Sequence, residues 1–119
     1  MRLASRLLGP AVLLSVLAVG CASQPATSPA PAAAATQISI KGFAFNPNQP
    51  SVTKGATISW TNDDGTTHTV TSGVPGTPSG RFNQSLDAGK SFSFTFTETG
   101  TYEFFCSIHN SMRGTVTVK

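Results

Sequence analysis
Gly100-Thr101-Tyr102-Glu103-Phe104-Phe105-Cys106-Ser107-Ile108-His109-Asn110-Ser111-Met112-Arg113-Gly114-Thr115-Val116-Thr117-Val118 is the stretch from which the fold is read. Its first part places Tyr102, Phe104 and Cys106 on one face of a strand, the period-two pattern of a half-buried β-segment. Its last part alternates Val116 and Val118 with Thr115 and Thr117, and Gly114 introduces it. The two segments read as a hairpin with Cys106 at the inner end of its first strand. His109 and Met112 lie on the connecting loop, three and six residues further on.

The same alternation recurs outward from this hairpin. Ile38 and Ile40 alternate with Ser39 and Lys41, Ile58 and Trp60 with Thr57, Ser59 and Thr61, and Phe92, Phe94 and Phe96 with Ser93, Thr95 and Thr97. Turn signals separate them: Asn46-Pro47-Asn48, Lys54-Gly55, Asp63-Asp64-Gly65, Asp87-Ala88-Gly89 and Thr99-Gly100. No segment has a helical period. The expected fold is all-β, a Greek-key sandwich or barrel of about seven to eight strands. Residues 73–89 are the least regular part, and Val74-Pro75-Gly76-Thr77-Pro78 cannot be a central strand. Phe82 and Leu86 are expected to pin this loop to the core.

The N-terminal third is different. Arg2 and Arg6 precede an uncharged Leu-, Val- and Ala-rich run from Leu7 to Gly20, the form of an export signal and too short for a comfortable membrane span. The run Ala18-Val19-Gly20-Cys21 resembles a bacterial lipobox, although that motif usually has Leu where Ala18 stands. Residues 1–21 are therefore read as a lipoprotein signal ending at Cys21, with ordinary cleavage near Ala22 as the alternative. Residues 22–36 are seven Ala, three Pro, two Ser, two Thr and one Gln, an uncharged tether able to reach about 45 Å when extended at ~3.1 Å per residue. Residues 37–119 form the one domain. The net charge of +3 falls to +1 without Arg2 and Arg6, and there is no basic run, so nucleic acid is not an expected partner. Membrane contact is expected only through the N-terminal lipid.

The chain has two His, His68 and His109, two Met including the initiator, and two Cys. With Cys21 lipidated or removed, Cys106 is a lone thiol in an oxidising compartment, which a metal-ligand role explains better than a free thiol does. A thiolate, two imidazoles and a thioether are the donor set of a blue-copper centre. His68 begins the alternating run His68-Thr69-Val70-Thr71 and shares an inward face with Val70. A strand start and a strand-end loop can meet at one end of a sandwich. Tetrahedral zinc also takes Cys and His but prefers further Cys or His over Met. A Cys–His catalytic pair would need an accessible thiol, whereas Cys106 is expected to be buried.

The pattern resembles the small blue copper proteins, the cupredoxins, over residues 38–119. Phe43-Ala44-Phe45-Asn46-Pro47 is similar to the family's first corner, and Trp60-Thr61-Asn62 with His68-Thr69-Val70 to its first ligand segment. Cys106, His109, Met112, Gly114 and Val116 are similar to its second, in the short-loop form of the amicyanins. The resemblance implies His68, Cys106 and His109 as equatorial ligands of one Cu(I)/Cu(II) ion, Met112 as axial ligand, and a non-enzymatic electron carrier. A c-type cytochrome, an oxidase or a dehydrogenase would be its redox partner. The expected setting is the periplasm or the outer face of the membrane, for a lipid-anchored monomer. Copper storage or delivery without redox traffic is the alternative that the ligand set leaves open.

Two departures from the family concern the surroundings of the ligands. Thr69 stands where the family often has Asn, and its hydroxyl is expected to tie the two ligand segments together through Ser107. Ile108 stands where Pro is common, and its retained N–H is expected to donate to the Cys106 sulfur, so that Ile108→Pro lowers the midpoint potential. The Asn62 amide is expected to bridge to backbone near Cys106, Asp63 and Asp64 to shape the turn before His68, with orientation of the ligand loop as the alternative, and Ile108, Pro47 and Pro50 to rim His109.

Overall fold
The computed structural model describes Gly20 and residues 35–119. Apart from Gly20 and residues 35–36, the expected export segment (1–21), its Cys21 and the expected tether (22–36) lie outside the described residues. The first strand takes in Thr36, the last residue assigned to the tether.

Nine strands form two sheets: β1 Thr36–Ile40, β2 Phe45–Asn46, β3 Ser51–Val52, β4 Thr57–Asn62, β5 His68–Val74, β6 Thr77–Leu86, β7 Ser91–Thr95, β8 Gly100–Phe105 and β9 Arg113–Val118. One sheet runs β2-β1-β4-β7 and the other β3-β9-β8-β5-β6. Two of the nine, β2 and β3, are two-residue pairings, and these raise the count above the seven to eight expected.

Period-two patterning sets the core. Ile38, Ile40, Ile58 and Trp60 from the first sheet meet Val70, Phe104, Val116 and Val118 from the second, all buried. Trp60 packs against Phe92, Phe82 and Phe104 with ring centroids 5.5–5.8 Å apart. Phe96 closes the far end of the phenylalanine stripe, buried against Tyr102, whose hydroxyl donates to the Glu98 carbonyl at 2.9 Å. Gly114 has a steric role: a Cβ there would lie 2.2 Å from Phe104 Cζ, so only glycine lets β9 cross the Phe104 ring.

The segment read as an irregular loop is largely a strand. β6 pairs along β5 from His68↔Leu86 to Val74↔Thr77, with a register shift between Thr71 and Gly73. It has one partner strand only, so Pro78 breaks no second ladder. Gly73 has φ 103° at the shift, and a Cβ there would lie 2.6 Å from Ser79 N. Phe82 and Leu86 are buried, as expected.

The β8–β9 hairpin is the element that positions the site. Its register ends at Phe105↔Arg113, so residues 106–112 are the connecting loop. The Cys106 N–H donates to the Met112 carbonyl at 3.0 Å and the Met112 N–H to the His109 carbonyl at 2.9 Å. These two bonds close the loop on itself.

Candidate metal centre
Cys106 directly follows β8 as the first residue of the loop, His109 and Met112 lie further along it, and His68 begins β5, the strand beside β8. The structure brings His68, Cys106 and His109 together. His68 Nδ1 and His109 Nδ1 are 3.2 Å apart, and Cys106 Sγ is 3.9 Å from the first and 3.8 Å from the second. The point in their plane equidistant from all three lies about 2.1 Å from each, a metal–imidazole bond length and slightly under that of zinc–thiolate. His68 and Cys106 are fully buried and His109 is half-buried. Met112 is buried at the end of the same loop.

The protonation pattern follows from Asp64. Its Oδ2 lies 2.9 Å from His68 Nε2. A carboxylate only accepts, so Nε2 carries the proton and Nδ1 presents a lone pair toward Cys106 and His109. The Phe43 and Gly42 N–H groups, and then His68, hold the Asp64 carboxyl below its ordinary 3.8. Electron-rich donors facing one another in a buried place repel unless a cation sits among them. The residues present therefore fit a soft-to-borderline metal ion, and the carboxylate–imidazole pair is a familiar outer support for one.

Backbone and hydroxyl groups complete the surroundings. The Thr69 N–H donates to Cys106 Sγ at 3.3 Å. The Thr69 hydroxyl accepts the Ser107 N–H at 2.7 Å and lies 3.0 Å from the Ser107 hydroxyl. The Thr69–Ser107 tie expected from the sequence is thus present. It takes over where the β5–β8 ladder stops, at Thr71↔Phe105.

Three expectations are corrected. Ile108 makes no hydrogen bond to the sulfur; among the described residues the backbone N–H that does so belongs to Thr69. Ile108 instead projects outward, 54% exposed. Asn62 does not reach toward Cys106. Its Nδ2 donates to the Thr66 and Leu86 carbonyls at 2.7 and 2.8 Å, and its Oδ1 accepts the Asp64 N–H at 3.0 Å, which fastens the turn leading into His68. Pro50 is buried, and its carbonyl accepts from Thr117 on β9.

Two contacts of the donor residues were not legible in the sequence. Asp64, expected mainly to shape the turn, holds the His68 ring itself. Phe43 was read as part of a corner, yet its ring stands edge-on to His68 and His109, with centroids 5.3 and 4.9 Å away. It is 53% exposed, and Phe43 and Ile108 are the exposed large hydrophobic residues among those described. A phenylalanine in a turn beside Gly, outside any alternating run, was the available signal.

Residues 32–119 match the family model of copper binding proteins, plastocyanin/azurin family. The chain belongs to that family. Plastocyanin from Daucus carota is 41% identical over 83 residues, covering 62% of this chain and 86% of the relative. Amicyanin from Paracoccus denitrificans is 31% identical over 122 residues, covering 94% and 92%. Among solved structures, a purple cupredoxin from Nitrosopumilus maritimus superposes with a TM-score of 0.65 at 33% identity, covering 71% of this chain and 99% of that one. The all-β sandwich is thus a cupredoxin fold, and the cofactor of this cupredoxin is copper.

Proposed function
We propose that His68 Nδ1, Cys106 Sγ and His109 Nδ1 hold one copper ion, with Met112 as a weak axial ligand, and that the protein carries single electrons between redox proteins outside the cytoplasm. The observation that carries this reading is the triangle of donors about 2.1 Å from a common centre, a metal–ligand bond length. When bound, copper would supply a Cu(II)/Cu(I) couple that stores one electron.

The chain's own residues supply the rest. Closure of the 106–112 loop, the Thr69–Ser107 tie and the Asp64–His68 pair keep the donors in place, which limits rearrangement between oxidation states. Asn62, Thr69 and Ser107 act through these contacts and Ile108 through the surface. His109 is the least buried member of the triangle; the exposed Phe43 ring stands against it, and the exposed Ile108 precedes it in the loop. An apolar collar around a half-buried ligand suits a redox protein that docks without strong charge pairing, such as a c-type cytochrome, an oxidase or a dehydrogenase. We assign residues 1–21 to export, Cys21 to lipidation and residues 22–35 to a tether that holds a monomeric domain at the outer face of the membrane. Mass spectrometry of the membrane fraction tests this, since an unmodified N-terminus after cleavage would remove the anchor.

Stopped-flow electron exchange with a c-type cytochrome tests the function. Saturable exchange, slowed in Phe43→Ala and in Ile108→Ser, is the expected result. A stably copper-loaded protein that exchanges no electrons with any such donor would instead support copper storage or delivery.

A further inference from the structure
One oxygen of Asp64 serves two parts of the site. Oδ2 accepts the His68 Nε2–H at 2.9 Å and the Phe43 backbone N–H at 3.0 Å, while Oδ1 accepts the Gly42 N–H at 2.7 Å. Gly42 and Phe43 both have left-handed φ, 62° and 58°, a conformation that L side chains resist. The two N–H groups that this turn directs at Asp64 form a small anion-binding concavity. Across the turn, the exposed Phe43 ring stands edge-on to His109. Thus the carboxylate that supports a copper ligand also holds in shape the turn that carries the docking side chain.

We propose that Asp64 couples the oxidation state of the site to the docking face, the Gly42–Phe43 turn being held more firmly in the reduced protein than in the oxidised one. The inference rests on the copper reading above. Reduction adds one electron from the docked donor and no proton. In the oxidised protein the extra positive charge draws electron density from the His68 ring, so its Nε2–H donates more strongly and takes a larger share of Oδ2. Two donors on one oxygen compete for the same negative charge, so the Phe43 N–H bond weakens. Linkage makes the effect reciprocal: a partner that binds the firmer turn favours the reduced protein, and one that binds the looser turn favours the oxidised.

Millisecond hydrogen exchange at Gly42 and Phe43, in the copper-loaded protein held reduced or oxidised, tests the coupling. Exchange should be several-fold faster in the oxidised form. Asp64→Asn, and Asp64→Ala, which keeps no acceptor, should each remove that difference. Each should also raise the midpoint potential in voltammetry, because a negative charge that favours the oxidised site is gone. Equal exchange in the two oxidation states of wild type, or an unchanged potential in both variants, overturns the proposal. A wild-type protein with no thiolate-to-copper absorption would overturn the copper reading as well. Equal exchange in a protein that shows the band overturns this proposal alone.

Discussion
Replacing Asn62 is the perturbation with the best-defined structural cost. Its amide is fully buried and makes three hydrogen bonds, to the Leu86 and Thr66 carbonyls and from the Asp64 N–H. Asn62→Ala leaves the Leu86 carbonyl in the interior without its donor, a loss of about 1–3 kcal/mol. The Thr66 and Asp64 groups lie in the more exposed turn, where water can replace the amide, so each costs about 0.5–1.5 kcal/mol. The sum is roughly 2–6 kcal/mol, against a total of about 4–12 kcal/mol for a domain of this length. The melting temperature of the apoprotein should fall by roughly 10–50 °C. Asn62→Asp should be no milder. It keeps an acceptor for the Asp64 N–H but turns an anionic oxygen toward two carbonyls. Thermal and denaturant unfolding followed by circular dichroism measure both variants. A loss below about 1 kcal/mol for Asn62→Ala would refute the view that this amide fastens the turn leading into His68.

Three further outcomes follow from particular contacts. Gly114→Ala drives a methyl group into the Phe104 ring and should cost about 1–3 kcal/mol in denaturant unfolding, with part recovered in the Gly114→Ala/Phe104→Leu double variant. Ile108→Pro removes no hydrogen bond to the sulfur, so voltammetry should find the potential nearly unchanged; a clear fall would restore the Ile108 N–H as a donor to Cys106. In the apoprotein, the Asp64 carboxyl is held below its ordinary value chiefly by the Phe43 and Gly42 N–H groups. A folded value below the unfolded one means that its contribution is fully present above about pH 4 and is lost as pH falls through the folded value. The stability gap between wild type and Asp64→Asn should therefore close in acid, as urea titrations at several pH values would measure.

The strands and the donor triangle were legible because their signals are local. Alternation such as Phe92, Phe94 and Phe96 reports a buried face without reference to any partner. The spacing from Cys106 to His109 and Met112 encodes a short loop within seven residues. Thr69 could be paired with Ser107 because a hydroxyl after the first His has few places to go. β6 was hidden because its Pro and Gly residues suppress the strand signal, and an edge position tolerates them. Asp64 and Phe43 were hidden for another reason. Their roles depend on the 42–43 turn lying against the 64–68 segment, a contact over 21 residues of sequence that no periodicity records. The expected roles of the Asn62 amide and the Ile108 N–H failed at the same level: each group was correctly placed near the site, but its bonding direction is set by tertiary packing.

The central claim is that Cys106 binds copper together with His68 and His109. The visible absorption spectrum of the Cu(II)-loaded protein tests it most directly. An intense thiolate-to-copper band that disappears in Cys106→Ser is the predicted result. A Cu(II)-loaded protein with no such band, or one whose band survives Cys106→Ser, would contradict the account.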